Sequence, residues 1–258
     1  MDHRLKSSLQ ERFAKERGSY RYPAGGRTRF ALVYPNTYFV GMSNLGLHII
    51  YDLLNRRRDT ACERFFLPDR TELPRYERTQ TPMMSVETQT PLADFAVIGF
   101  AISFEMDYFN VVKMLVKILT LSHVRLYASE RGARDPLVIA GGPCATFNPE
   151  PLAEIVDAFV IGEGEAIMPA LMDAYHEGVR QGADRSCIAS RGYPVSMCLH
   201  SMRPPMTGRE NLLRLRRKRG PRPPSFASGS KISMHPPRTR LLSRRIRSSI
   251  STSSRRYA

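Results

Sequence analysis

The sequence predicts a doubly wound α/β fold with a parallel sheet of about five strands. Two observations favour this class. Short apolar runs, of the kind that form strands buried on both faces, recur along the chain, and stretches with helical periodicity separate them. Such an alternation of strand and helix is typical of right-handed βαβ units on a parallel sheet.

The first half of the domain contains two predicted strands and one helix. An apolar run at residues 30–34 predicts the first strand, and apolar residues three and four positions apart predict a helix over 44–55. A weaker strand is expected around 64–67. Residues 69–92 are polar and interrupted by proline, so they give no clear prediction.

The second half has a more regular pattern. Residues 95–102 form a continuous apolar run typical of a central parallel strand. The remaining predictions are a helix over 107–121, a strand over 136–140, a short helix over 152–156, a strand over 158–161 and a last helix over 166–176. Pro169 is expected in the first turn of that helix, where proline is tolerated.

Charge divides the chain into segments. The formal net charge is +15, but residues 201–258 contain 16 Lys and Arg and one acid, leaving 23 basic and 23 acidic residues in positions 1–200. The basic character therefore belongs to the C-terminal segment. We predict an N-terminal polar extension (1–28), the α/β domain (29–178), a linker (179–200) and a disordered Arg/Ser/Pro-rich tail (201–258).

The tail has few large apolar residues, so it cannot bury enough surface to offset the entropy of ordering. One interpretation is a nucleic-acid-binding arm, since clustered arginines neutralise phosphates. It contains only Phe226 and Tyr257 as aromatic residues, which leaves base stacking unsupported. The favoured interpretation is that GC-rich coding DNA translated out of frame gives such a composition.

The four cysteines, at positions 62, 144, 187 and 198, form no C-x-x-C or C-x-x-x-C pair. This spacing predicts neither a zinc site nor an iron–sulfur cluster. The charged N-terminus has no apolar signal region, and no stretch reaches 18 apolar residues. We therefore expect a cytoplasmic protein without membrane association, with reduced thiols.

Candidate ligand-binding residues follow the predicted strands, because ligands of such sheets bind at the carboxyl edge where strand order reverses. In chain order they are Asn36, Tyr38, Gly41, Ser43, Ser103, Glu105, Gly141, Gly142, Pro143 and Gly162. Glu163 and Glu165 are expected to cap the final helix, since the helix dipole favours negative charge there. No catalytic and no metal-ligating residue is predicted.

Four blocks of sequence resemble a known family. They are Tyr34-Pro35 with 41–47 (GMSNLGL), 91–95 (PLADF) with 97–100 (VIGF), 139–143 (IAGGP), and 148–152 (NPEPL) with 157–165 (DAFVIGEGE). Together they resemble the N-terminal cobalamin-binding domain of radical SAM proteins, specifically an uncharacterised group among them. The resemblance covers residues 30–175, a little over half of the chain.

The resemblance implies a Rossmann-like or flavodoxin-like domain that binds cobalamin. Better-known cobalamin domains use D-x-H-x-x-G, S-x-L and G-G motifs, and in that register this chain has residues 36–41 (NTYFVG), 103–105 (SFE) and Gly141-Gly142. Tyr38 stands where the cobalt-ligating histidine would be. A phenol with a pKa of about 10 is a poor ligand, so cobalt is expected to lack a protein histidine.

The same resemblance implies roles for the loops. Gly141 and Gly142 would leave room for the nucleotide arm beside the sheet, Ser103 would hydrogen-bond in that groove, and Gly41 would keep the first loop clear of the corrin. The expected function is a cobalamin-binding module of a radical SAM protein, truncated before the iron–sulfur domain and not itself catalytic, because the chain contains no C-x-x-x-C-x-x-C motif. A full-length parent would be a radical SAM enzyme, with that domain in cis.

Two alternatives stay open. The first is a flavodoxin-like binder of a nucleotide or another small ligand, since one fold hosts many functions; no glycine-rich phosphate loop follows the first strand. The second is nucleic-acid binding through the basic tail.

Overall fold

A computed structural model of the chain describes residues 2–23, 25–118 and 124–182. The strands are β1 (Thr28–Tyr34), β2 (Thr60–Phe66), β3 (Val97–Ala101), β4 (Leu137–Gly141) and β5 (Ala158–Val160). The α-helices are α1 (His3–Lys15), α2 (Tyr38–Met42), α3 (Leu45–Asn55), α4 (Leu73–Thr79), α5 (Asp107–Lys113), α6 (Pro143–Phe147) and α7 (Gly164–Arg180). Single turns of 3₁₀-helix span Leu92–Asp94, Ala128–Glu130 and Glu150–Leu152, and Met114–Ile118 is π-helical.

The five strands pair in parallel in the order β2-β1-β3-β4-β5. The predicted doubly wound α/β fold is therefore confirmed, and the strand order is that of flavodoxin-like sheets. The chain moves outward from β1 to β2 and then returns to place β3 on the other side of β1. The carboxyl ends of β1 and β3 consequently form the switch point of the sheet, where such folds place their ligands.

Helices cover both faces of the sheet. Alternate residues of β1 point to opposite sides, as the pleat requires, so Phe30 and Leu32 pack with α3 and α7 while Ala31 and Val33 pack with α5. All five residues at positions 30–34 of β1 are buried. Burial on both faces explains why the strand is an uninterrupted apolar run.

Several predicted boundaries are wrong. The strand expected at 64–67 is β2, seven buried residues long, and the short helix expected at 152–156 is a 3₁₀ turn at Glu150–Leu152. The helix expected at 107–121 is α5 followed by the π-helical turn. Pro169 lies inside α7 and not in its first turn, because α7 begins two residues earlier than predicted.

The segment before β1 contains a helix that packs on the domain. Asp2 caps α1 by accepting hydrogen bonds from the backbone N–H groups of Arg4 and Leu5. Leu5 and Leu9 are buried in the same core cluster as α3 and α7. Residues 1–28, expected as a polar extension, thus contribute apolar side chains to the core.

The predicted tail (201–258) lies outside the described residues, as does the predicted linker beyond residue 182, while residues 179 and 180 belong to α7. Within the described part of the chain, no helix combines the length and apolar character needed to span a bilayer. The same part contains no cluster of three His, Cys, Asp or Glu side chains suited to a metal ion.

A buried ion cluster joins β2 to the N-terminal segment. The Arg64 guanidinium donates to Glu87 Oε1 over 2.7 Å and to Glu16 Oε2 over 2.5 Å, and all three side chains are almost fully buried. The Arg64 backbone N–H also donates to Glu87 Oε2. The guanidinium lies 4.3 Å from the Tyr51 ring centroid, where the ring attracts the cation. One arginine therefore pairs with two carboxyl groups inside the core.

We expect Glu87→Gln to flatten the pH dependence of stability. Burial raises the pKa of Glu87 from 4.5 to about 7, against the opposing effect of Arg64. Between these values the folded state keeps a proton that the unfolded chain releases, so the free energy of unfolding falls as pH rises from 4.5 toward 7. Urea unfolding at pH 5, 6 and 7 should show this decrease in the wild type and a smaller one in the variant.

The control for this prediction is Glu11→Gln, which removes an exposed carboxyl of α1 and should leave the wild-type slope unchanged. Equal slopes in the wild type and in the Glu87→Gln protein would contradict the assignment of the slope to Glu87.

Candidate functional site

A crevice of about 550 Å³ opens at the carboxyl edge of the sheet. Its volume falls within the range of roughly 300–1,000 Å³ typical of small-molecule sites. Phe30 and Leu32 of β1, Ile139 of β4 and Val160 of β5 line it from the sheet side. The walls come from α3 and α7, through Leu47, Ile50 and Met168. The crevice thus extends from the strand ends down beside one face of the sheet.

Gly99 lies at the centre of this sheet face. A Cβ at this position would approach the Phe30 ring to 2.7 Å. The absent side chain lets the ring lie across β3 and contribute to the apolar lining. Any larger residue would displace the ring and reshape the crevice.

Three hydrogen bonds organise the mouth of the crevice. Asn44 caps α3, its Oδ1 accepting from the Leu47 backbone N–H over 2.9 Å, and its Nδ2 donates to Ser103 Oγ over 3.1 Å. Thr146 Oγ1 accepts from the Gly162 backbone N–H over 3.2 Å. These bonds tie the loops after β1, β3, β4 and β5 together, so the polar groups at the mouth have defined positions.

Gly141 and Gly142 line the crevice, but close packing also accounts for both residues. A Cβ on Gly142 would lie 2.6 Å from the Ile102 carbonyl oxygen, and its φ of +99° also favours glycine. A Cβ on Gly141 would meet the Val160 side chain at 3.2 Å. Protein contacts already occupy these positions, so their first effect is to hold the strand ends close together.

Gly46 lies in the first turn of α3, at the edge of the crevice. A Cβ there would meet only Asn44 Oδ1 within 4 Å, at 3.3 Å. Because Gly46 lines the crevice, a larger side chain at this position would extend into it. Gly46 therefore contributes to the volume available to a ligand.

Large apolar side chains surround the mouth. Phe104 and Phe147 both line the crevice, and they are 52% and 87% exposed. Leu45, the neighbour of two lining residues, is 72% exposed. Exposed phenyl and leucyl groups at the edge of a pocket mark a binding surface. The mouth therefore offers exposed apolar side chains for contact outside the enclosed part.

The acidic turn after β5 also lines the crevice. Glu163 occupies the N-cap position of α7, yet its side chain accepts no hydrogen bond from the helix. Glu163 is therefore at the predicted capping position, near the positive end of the helix dipole, but its side chain makes no capping hydrogen bond. Glu165 lies in the first turn, where the helix dipole favours its charge. Both carboxylates belong to the lining of the crevice.

The structure brings half of the predicted site residues together. Ser103, Gly141, Gly142, Pro143 and Gly162 line the crevice, whereas Asn36, Tyr38, Gly41, Ser43 and Glu105 do not. The second group belongs to the loops after β1 and β3, and four of its members have identified contacts elsewhere.

Tyr38 and Gly41 pack against β2. The Tyr38 hydroxyl donates to Glu16 over 2.7 Å, and its ring lies edge-on to Phe66. Burial, reinforced by the bond to Glu16, raises the pKa of the Tyr38 phenol to about 12. A Cβ on Gly41 would lie 2.3 Å from the Phe66 ring, so this glycine is required by packing against Phe66.

Asn36, Ser43 and Glu105 have different surroundings. Asn36 Nδ2 donates to Asp107 Oδ1 over 3.2 Å, linking the ends of β1 and α5. Asp107 is buried, which raises the pKa of its carboxyl. The Ser43 hydroxyl donates to the Phe39 carbonyl, and Glu105 is exposed.

Sequence reasoning did not select several residues that line the crevice: Asn44, Gly46, Phe104 and Phe147. Asn44 had a usable signal, since an asparagine directly before a helical pattern is a capping residue. Phe104 and Phe147 had none, because exposure of a phenylalanine depends on the tertiary fold.

The crevice contains neither of the free cysteines among the described residues, Cys62 and Cys144. Both thiols are buried, and burial raises the pKa of each. A thiol with a raised pKa is a weak nucleophile at neutral pH. Neither cysteine is thus suited to a reactive role at this site.

Comparisons with known proteins identify a family. The model of the N-terminal region of radical SAM proteins matches residues 46–196. An uncharacterised protein of Methanocaldococcus jannaschii is 27% identical over 135 residues, which are 52% of this chain and 24% of that protein. The chain therefore spans about a quarter of this relative's length. No solved structure matches the chain at a significant level.

Proposed function

The chain belongs to the family of N-terminal domains of radical SAM proteins, and on this premise we propose that its α/β domain is a cobalamin-binding module. The observation that carries the proposal is the crevice at the carboxyl edge, which is deep and apolar beside the sheet and has exposed phenyl groups at its mouth. This shape suits a ligand with a narrow arm and a broad, flat body. Cobalamin has a nucleotide arm and a corrin ring of these two kinds.

The residues of the crevice fit the nucleotide arm. Phe30, Leu32 and Ile139 provide an apolar surface for the aromatic base. Ser103 lies at the entrance, held by Asn44, and can hydrogen-bond to the sugar. Gly46 lies in the first turn of α3, and the N-terminus of this helix favours the single negative charge of the phosphodiester.

The corrin ring would lie outside the enclosed volume. Phe104 and Phe147 are exposed and can contact the flat ring, which accounts for large apolar side chains at the surface. This arrangement differs from the sequence-based expectation in one respect. The space for the ligand comes from Gly46 and the loop phenyl groups, and Gly141 and Gly142 mainly hold the strand ends together.

The proposal includes cobalt without a histidine ligand from this chain. Tyr38 replaces the histidine of better-known cobalamin domains, and its hydroxyl is engaged by Glu16. Its raised pKa makes the ligating phenolate scarce at neutral pH. When bound, cobalamin supplies a reactive group such as methyl, and the protein supplies position and surroundings.

We propose that this chain binds its cofactor and does not itself catalyse radical chemistry. The 258 residues contain no C-x-x-x-C-x-x-C motif for the iron–sulfur cluster. The cluster and the substrate would belong to the remainder of longer family members, such as the relative of which this chain spans about a quarter. A cytoplasmic location is part of the same proposal.

Anaerobic titration of the full chain with aquocobalamin tests the proposal. We expect a saturable change in visible absorbance with one equivalent bound, without the spectral signature of a histidine ligand from the protein. Flavin mononucleotide serves as the comparison ligand for the flavodoxin-like alternative. Absence of cobalamin binding together with saturable binding of the flavin would overturn the proposal in favour of that alternative.

A further inference from the structure

The acidic turn after β5 places two glutamate side chains at the crevice, beside the N-terminus of α7. Glu163 and Glu165 are exposed and line the crevice. The Glu163 side chain accepts no capping hydrogen bond from α7. Because Gly164, between them, also lines the crevice, the whole turn faces the ligand space.

The other side chains of the crevice do not balance these charges. Among the described residues that line it, none is Lys, Arg or His. The polar neighbours, Asn44, Ser103 and Thr146, are neutral and bond to one another or to the backbone. This side of the mouth therefore presents hydrogen-bond acceptors and negative charge.

Such a surface favours one kind of ligand group. Hydrogen bonds from a neutral N–H to a carboxylate are stronger than those between neutral partners. A carboxylate or a phosphate dianion in the same place would face two like charges, which costs affinity and provides specificity. The preferred partners are N–H donors without negative charge.

We propose that Glu163 and Glu165 are specificity-determining residues that recognise primary amide groups on the periphery of the ligand. This inference rests on the proposed cobalamin function. The corrin ring carries several side-chain amides, and corrinoids in which an amide is a free carboxylic acid are its close analogues. The domain thus selects the amidated corrinoid over its carboxylate forms, while the phosphodiester lies near the N-terminus of α3.

The test compares aquocobalamin with its three monocarboxylic acids, in each of which one propionamide is hydrolysed. Each is titrated into the full-length wild type and into the Glu163→Gln/Glu165→Gln protein at low salt. We expect at least one acid to bind the wild type about tenfold more weakly than the amide, which corresponds to about 1.4 kcal/mol. In the double variant this ratio should fall to within about twofold.

Glu11→Gln is the matched control, since it removes an exposed carboxyl outside the crevice and should preserve the tenfold ratio. If aquocobalamin binds but all three acids bind equally well, or if the double variant keeps the wild-type ratio, the inference is wrong while the proposed function stands.

The two claims fail in different ways. If aquocobalamin does not bind the wild type, the proposed function is overturned, and the inference that rests on it is overturned as well. If aquocobalamin binds without preference over the acids, only the inference is overturned.

Discussion

Arg64→Met should reduce the free energy of unfolding by about 3–5 kcal/mol, the typical cost of removing one partner from a buried ion pair. Glu16 and Glu87 would both remain in the core without a cation, since Arg64 donates to each of them. Glu16 also accepts from Tyr38, so the loss would loosen the N-terminal segment and the loop after β1 together. Urea unfolding of the full chain, followed by circular dichroism, measures the change.

Arg56→Met is the matched control. Arg56 is 73% exposed in its ion pair with Asp52, and exposed ion pairs contribute little to stability. A loss of stability for Arg64→Met no larger than that for Arg56→Met would contradict the account of the buried cluster. If Arg64→Met does not fold, Glu87→Gln and Arg64→Lys provide smaller changes of the same cluster. Their losses in free energy of unfolding should lie between those of Arg56→Met and Arg64→Met.

Gly46→Leu should weaken cobalamin binding about 30-fold, because overfilling a packed site costs roughly 2 kcal/mol. The new side chain would begin 3.3 Å from Asn44 Oδ1 and extend into the crevice that Gly46 lines. Replacing glycine within a helix also removes a penalty of up to about 1 kcal/mol, so the fold should not be weakened. Cobalamin titration and thermal unfolding of the same sample separate the two effects.

Gly132→Leu provides the control for that substitution. A Cβ on Gly132 would meet only Asp135, at 4.0 Å, and Gly132 does not line the crevice. Its cobalamin affinity should equal that of the wild type. Unchanged affinity in the Gly46→Leu protein, with a normal melting temperature, would show that cobalamin does not occupy the crevice.

The strands buried on both faces could be predicted from sequence because their apolar runs are local signals. β2 could be predicted only in part, since it contains Arg64 in a fully buried position. The carboxylates that neutralise this arginine, Glu16 and Glu87, are 48 and 23 residues away in the chain. Charge partners this far apart in the sequence cannot be recognised from the local hydrophobic pattern.

Two features of the helices also depend on tertiary contacts and could not be predicted from the sequence. Leu5 and Leu9 are two apolar positions of a largely polar helix, and only docking on the core reveals that they are buried. Pro169 lies within α7 although proline removes a helical hydrogen bond. Packing of Met168 and Leu171 on the sheet stabilises the helix on both sides of the proline. Tertiary contacts override the local preference at these positions.

The candidate site could be predicted where it depends on topology alone. The loops after β3, β4 and β5 reach the crevice as the parallel sheet requires, and Ser103, Gly142 and Gly162 are examples. The loop after β1 reaches the crevice only through its last residue, Asn44, whereas Gly41 fits against the Phe66 ring. A glycine needed for close packing and a glycine that makes room for a ligand look alike in a sequence.

Amide hydrogen exchange of the full chain, with and without aquocobalamin, tests most directly whether the crevice holds the cofactor. We expect slower exchange in the peptides that contain the mouth and the wall of the crevice, residues 99–106, 139–147 and 160–168, and no change in α1 and α4. Binding of cobalamin with unchanged exchange in these three segments, or with protection confined to other parts of the chain, would contradict the placement of the ligand.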